Sequence, residues 1–365
     1  MEQHQNEPTT PSLAEKVTPA VKKTLLLILH CILLSIGNSF GPVITRLYFL
    51  HGGHRIWLRG FVETVGWPFT LIILIVLYFH RHIAGRNNGN NHPTTFIYIR
   101  WRLFIAAAVI GVLTGLANYC YSFGFSHLPL SIYAVINATR LIFMAIFAFI
   151  LVKHKFTPYS INAVVLLTVG SLLMALHASG DRPEGERKRG YVLGFCMTVA
   201  AAALYGFVSP LMELSFNKAK QEITYTLVLE VQMVMCLFAT VFCMVGMIFN
   251  NDFKVISREA KDFGLGKTNY YVILSVSIIL WQCFFVGSMG VIYYGSSFLL
   301  GVIATIQIPV MEIFAVTLFK EKFQSIKGVA LVLSLWGFLS FFYGEYKYTK
   351  MKKGKGNTQS TLEVV

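Results

Sequence analysis

Apolar residues in this chain fall in long, nearly unbroken runs, not at the two- or 3.6-residue spacing of half-buried soluble elements. Ten runs stand out, at roughly 24–48, 57–79, 103–125, 129–152, 158–178, 190–216, 224–249, 270–293, 296–319 and 326–346. Each is about as long as a helix must be to cross the ~30 Å hydrocarbon core. Backbone polar groups in lipid must bond within their own segment, so each run predicts a transmembrane α-helix. The first run follows a polar segment carrying Lys16, Lys22 and Lys23. It is too long, and too closely followed by further runs, to read as a cleaved signal peptide.

The runs repeat. Phe147-Ala148-Phe149-Ile150-Leu151-Val152-Lys153-His154-Lys155-Phe156 closes the fourth, and Phe314-Ala315-Val316-Thr317-Leu318-Phe319-Lys320-Glu321-Lys322-Phe323 closes the ninth. The two share a KxKF pattern at an offset of 167 residues, from Lys153 to Lys320. The same offset sets Glu63 in run two against Glu230 in run seven. Each half then holds five spans, and an odd number makes the second half enter the membrane upside down. Inverted repeats of this kind build secondary transporters, with substrate near mid-membrane between the halves. The expected fold is an all-α membrane protein of ten transmembrane helices in two inverted five-helix repeats. Its parts are a disordered tail (1–23), a first repeat (24–178), a polar linker (179–189), a second repeat (190–346) and a basic tail (347–365).

Composition agrees. Hydrophobic residues make up 55% and charged residues only 13%, against about 25% charged in soluble domains. The net charge of +14 is spread over loops and tails, so it does not point to nucleic acid. Lys347, Lys350, Lys352, Lys353 and Lys355 follow the last run, where anionic headgroups would meet them. Lys and Arg are divided almost evenly between the two sets of loops, so the positive-inside rule does not decide the orientation. An even number of spans puts both termini on one side, expected to be the cytoplasm, with the plasma membrane as the expected site. The six cysteines lie within apolar runs, with no CxxC pair, and read as small buried residues rather than disulfides or metal ligands. No cofactor is expected.

Ionisable residues inside spans are costly and are functional candidates by default. Arg140, in run four, is the one basic residue assigned to the membrane interior, near mid-depth. Glu63 and Glu230 lie about six residues into their runs, and Asn118 and Asn137 at similar depth, with Gln282 and Gln307 as polar counterparts in the second half. The plainer reading is that such groups satisfy one another between helices. A carboxyl in a low-dielectric surrounding, however, takes up and releases a proton readily, which suits Glu230 and, nearer the end of its run, Glu312 to proton coupling. Flat rings among these groups, Tyr133 and Trp281 with them, suit a planar heteroaromatic ligand. The proposed binding set is therefore Glu63, Asn118, Asn137, Arg140, Tyr133, Trp281 and Gln307. Arg140 and Glu63 differ in depth by about five residues, roughly 7 Å. A long Arg side chain spans that, so an ion pair between them is expected.

Other motifs fall away. Gly264-Leu265-Gly266-Lys267-Thr268 lacks the earlier P-loop glycine, since Lys261 stands there. His51 with His54, and His80 with His82, have no third ligand nearby in sequence. No nucleophile elbow, HExxH or dinucleotide fingerprint is present, and an enzyme is not expected.

Several segments resemble the plant purine permeases. They are Gly52-Gly53-His54-Arg55-Ile56-Trp57-Leu58, Thr64-Val65-Gly66-Trp67-Pro68, the stretch from Phe147 to Val164, Ala201-Ala202-Ala203-Leu204-Tyr205-Gly206-Phe207, Lys218-Ala219-Lys220-Gln221, Pro309-Val310-Met311-Glu312, Gly328-Val329-Ala330-Leu331 and Tyr343-Gly344-Glu345-Tyr346. The resemblance covers residues 24–348. It implies the ten-helix drug/metabolite transporter architecture and proton-coupled symport of adenine-like bases and cytokinins. Relatives of that family also carry alkaloids and vitamin B6 forms. Glu63 and Arg140 depart from the pattern, which has Gln at both places. The competing readings are a carrier of another small metabolite, including an anionic nucleotide-type substrate, and a membrane-embedded enzyme or receptor. Phosphates call for several cavity cations, and an enzyme for clustered His, Asp or Cys at a membrane edge. The oligomeric state is not legible.

Overall fold

The structure is a computed structural model that describes residues 13–87, 96–129, 133, 136–137, 139–153, 156–178, 188–319, 328–329, 332–333, 335–344 and 346–347. Its helices in chain order are α1 (Leu13–Leu50), α2 (Ile56–Thr64), α3 (Trp67–Asn87), α4 (Trp101–His127), α5 (Arg140–Phe147), α6 (Pro158–Ala178), α7 (Lys188–Asn217), α8 (Tyr225–Phe249), α9 (Asp252–Asp262), α10 (Lys267–Tyr294), α11 (Ser297–Ile306) and α12 (Ile308–Phe319). A further apolar helix, α13, runs Leu335–Gly344. Among the described residues there is no strand.

Six helices are long and apolar enough to cross a membrane: Val21–Leu50, Ile56–Ile83 taken across the α2–α3 joint, Trp101–His127, Arg189–Asn217, Tyr225–Phe249 and Lys267–Tyr294. Shorter apolar helices, Arg140–Val152, Pro158–Gly170, Ser297–Ile306 and Leu335–Gly344, stand at the other four expected runs. The KxKF segments lie largely outside the described residues, as do most of the linker and the basic tail.

The helices begin and end for local reasons. Thr224 caps α8 by accepting from the Leu227 N–H, and Ser296 caps α11 by accepting from the Leu299 N–H. Pro158 opens α6, where its missing N–H costs nothing. Three features differ from the sequence expectation. Helix α1 begins at Leu13 rather than Thr24, so residues 13–23 are helical. Spans two, four and nine are interrupted, at Val65–Gly66, at Thr139 and at Gln307. Each run stays apolar on both sides of its break, although Asn137, Thr139, Arg140 and Gln307 at two of the breaks are polar, so the runs read as unbroken by length and overall hydropathy. Helix α9 is a short helix between α8 and α10, too polar to register among the apolar runs.

The most extensive pairing is α1 against α10, followed by α4 against α7 and α8. Glycines set the first of these. A methyl on Gly287 would run into the backbone of His30 and Leu34, and one on Gly37 into the backbone of Leu280 and Phe284. Small residues let helix backbones approach closely where lipid supplies no hydrophobic drive between helices. The main core, from Leu34 on α1 to Met311 on α12, surrounds the polar residues described next.

Candidate functional site

Helix α2 is short but carries two charges on its buried face. Arg59 is wholly buried and Glu63 nearly so. One turn apart, they bring Arg59 Nε to 3.8 Å from Glu63 Oε1. That separation is an ion pair but too long for a hydrogen bond. None of the three guanidinium nitrogens of Arg59 has a hydrogen-bond partner. The guanidinium carbon lies 6.0 Å from the Trp281 ring on α10, whose indole N–H is also unpartnered.

A tyrosine layer adjoins this pair. Tyr121 on α4 donates to Asn137 Oδ1 at 2.7 Å, and Tyr205 on α7 donates to Asn118 Oδ1. The rings of Tyr121 and Tyr205 stack with centroids 5.4 Å apart, and Tyr133 meets Tyr121 edge-on at 5.3 Å. Arg140, the first residue of α5, lays its guanidinium 4.8 Å from the Tyr205 ring and 5.9 Å from Phe284. Its Nε and the Asn118 Nδ2 have no partner. Arg140, Tyr205, Phe284 and Ser288 line a cavity of about 30 Å³, large enough for a water but not for a ring system. The centre is thus closed, aromatic and under-bonded.

Six of the residues expected from sequence come together here: Glu63, Asn118, Asn137, Tyr133, Arg140 and Trp281. The expected Glu63–Arg140 ion pair does not form. Among the described residues the partner of Glu63 is Arg59, because an i,i+4 neighbour on the same helix is nearer than a side chain that stacks on Tyr205. Arg59 is not legible in the sequence as a buried cation. It stands at the edge of run two, where a basic residue reads as loop, and that leaves Arg140 as the sole expected buried cation. The one available signal is its i,i+4 spacing to Glu63.

Gln307 sits at the α11–α12 joint, where its Nε2 donates to Ser35 Oγ at 2.6 Å. Glu230 is buried apart from the tyrosine layer. Its Oε2 accepts from the N–H groups of Tyr98 at 2.8 Å and Ile99 at 2.9 Å, just before α4. Its Oε1 has no partner. Glu312 falls in α12, and its side chain lies outside the described residues. Nearby, Gln282 donates to Thr70, which donates to Gln232 at 2.9 Å, a buried chain from α10 through α3 to α8.

Beyond the ends of the long apolar helices, a second charged cluster fastens α9. Arg55 lies 3.3 Å from Asp252 and 3.5 Å from Glu259. Glu259 Oε1 also accepts from Tyr48 at 2.5 Å and Tyr270 at 3.1 Å. Burial pushes the Asp252 carboxyl above the ordinary aspartate range, against the opposing hydrogen bond from Asn250 and the charge of Arg55. This cluster ties the ends of α1 and α2 to α9 and α10.

Comparison with known proteins gives a consistent result. A family model described as purine nucleobase transmembrane transport matches residues 25–351. Purine permease 3 of Arabidopsis thaliana is 47% identical over 90% of this chain and 93% of its own length. Purine permease 2 of the same plant is 46% identical over 94% of this chain and 98% of its own. Purine permease 21 is 32% identical over 91% of this chain and 84% of its own. One solved crystal structure superposes with a TM-score of 0.55 at 14% identity, covering 89% of this chain and 98% of that one.

Proposed function

The chain belongs to the purine permease family, and from that premise we propose that it imports purine bases such as adenine, and cytokinins, by proton symport. It is a multi-pass membrane transporter and not an enzyme. The observation that carries the substrate reading is the Arg59–Glu63 pair beside Trp281. Buried polar atoms are normally hydrogen-bonded, yet here a guanidinium whose one ion-pair contact is Glu63 at 3.8 Å and an indole N–H have no hydrogen-bond partner. Next to those donors sits the acceptor Glu63. An adenine presents the converse pattern, a ring-nitrogen acceptor beside an amino donor, on a flat face that rings such as Trp281 and Tyr205 stack against.

The ten-helix inverted repeat belongs to the same proposal. Its support is that Arg140 and Gln307, each at a break in its span, are themselves 167 residues apart, the repeat offset. Interrupted helices at matching places are what such transporters use to line a mid-membrane site. In this reading the proton is carried by Glu230, with Glu312 as a second carboxyl. Neutralising Glu230 removes a charge-assisted acceptor from the Tyr98 and Ile99 N–H groups and loosens the entry to α4. Both termini are cytoplasmic and the membrane is the plasma membrane.

Uptake of labelled adenine and trans-zeatin into proteoliposomes, with and without an inward proton gradient, tests this. Accumulation should require the gradient and collapse with a protonophore. Accumulation indifferent to the gradient, or no uptake of either compound, overturns it. A nucleotide-type anion is the second reading, because Arg140 has no carboxylate partner among the described residues. Competition by a nucleoside monophosphate at least as strong as by adenine would favour it.

A further inference from the structure

One groove among the described residues is remote from the tyrosine layer. It encloses about 900 Å³ between the start of α4 and the end of α7. Its rim carries four cations, Arg100, Arg102, Lys218 and Lys220, and among the described residues no carboxylate lines it. Its wall is apolar, with Leu103, Ala106 and Leu214 continuing into the membrane-spanning parts of both helices. The two sides are fastened at the mouth. Arg100 donates from its backbone to Gln221 Oε1 at 3.1 Å and from Nη1 to the Lys220 carbonyl at 2.7 Å. Helix α4 starts there without a side-chain cap, so its first-turn N–H groups add to the positive field.

We infer that this groove is a binding site for an anionic phospholipid of the adjacent leaflet, with its headgroup on the four cations and an acyl chain on the apolar wall. Three features select this occupant. A soluble anion has no use for the apolar wall. A neutral lipid has no use for four like charges that have no ion-pair partner among the described residues. The groove also opens where two long apolar helices begin and end, at the headgroup level of a bilayer, where basic pockets between helices take acidic headgroups. The site touches α4 two residues beyond the segment clasped by Glu230, so an occupant braces the same joint.

The test uses the full chain in nanodiscs of phosphatidylcholine alone or with phosphatidylserine, and counts co-purifying lipid by mass spectrometry. The wild type should retain phosphatidylserine over phosphatidylcholine several-fold. Arg102→Gln with Lys218→Gln should lose that preference while keeping its thermal midpoint in pure phosphatidylcholine. Ala106→Trp, which fills the apolar wall and leaves every cation, should lose it too. Equal retention of the two lipids by the wild type overturns the assignment. So does a preference that survives both variants, or one abolished by millimolar inorganic phosphate but untouched by Ala106→Trp, which would mark a site for a free anion.

Discussion

Arg59 and Glu63 lie one turn apart on α2, 3.8 Å between Nε and Oε1, and both are shut off from water. Each makes the other tolerable, since either alone would be a bare charge in a low-dielectric core. Removing one partner of a buried pair costs roughly 3–5 kcal/mol, whereas removing both is often near neutral. Arg59→Gln and Glu63→Gln should therefore each melt well below the wild type in detergent, and the double variant should recover most of the loss. All three should fail to take up adenine, because the ligand loses its donor, its acceptor or both. Singles as stable as the double would show that the two charges do not depend on each other.

Among the described residues Arg140 is held by contact with the Tyr205 ring and has no carboxylate partner. Lysine keeps the charge but loses the planar stack on Tyr205, a contact worth about 0.5–2 kcal/mol. Arg140→Lys should leave the fold intact and weaken apparent substrate affinity several-fold. An unchanged half-saturation concentration in the uptake assay would remove Arg140 from the binding set.

On the proposed reading, a change at Glu230 separates coupling from transport. Gln keeps an oxygen for the Tyr98 and Ile99 N–H groups and cannot carry the proton. Glu230→Gln should abolish uphill accumulation yet still exchange labelled for unlabelled substrate across the membrane. Wild-type accumulation against a gradient in this variant would end the proposal for Glu230.

Asp252 predicts a pH effect outside the membrane. Because burial raises its pKa, the folded protein binds this proton at a higher pH than the unfolded chain does. Its contribution to stability is therefore greatest below the ordinary aspartate range and is lost as pH rises through the raised value. Asp252→Asn should match or exceed the wild type in thermal midpoint at neutral pH, with the difference shrinking on acidification. Arg55→Gln should do the opposite at neutral pH, since it strands Asp252 and Glu259 together. A neutral-pH midpoint for Asp252→Asn well below the wild type would mean that its ion pair outweighs its burial.

Where the helices lie was legible in the sequence, because long apolar runs report solvent and lipid leaves little choice of backbone. Six of the central polar residues were legible too, since polar groups in apolar runs are conspicuous. Their partners were not. Glu230 is clasped by Tyr98 and Ile99, more than a hundred residues away in sequence, and nothing local announces that contact. Arg59 was hidden by its position at a run boundary, where a basic residue ordinarily faces headgroups. The interruptions at Thr139 and Gln307 fall at polar positions, but single polar residues inside long apolar runs do not tell a joint from a continuous helix.

The glycine contact between α1 and α10 bears on how the molecule moves. Ridges that leave no room for a methyl group cannot slide past one another without first lifting apart, and lifting would expose Gly287 and the backbone of His30 and Leu34 together. The close contact predicts that these two helices travel together. Displacement during a cycle is then expected at the jointed pieces, α2 with α3, α5, and α11 with α12, and not between α1 and α10. A covalent link placed between α1 and α10 is, on this account, mechanically silent, while one placed across any of the joints arrests the cycle.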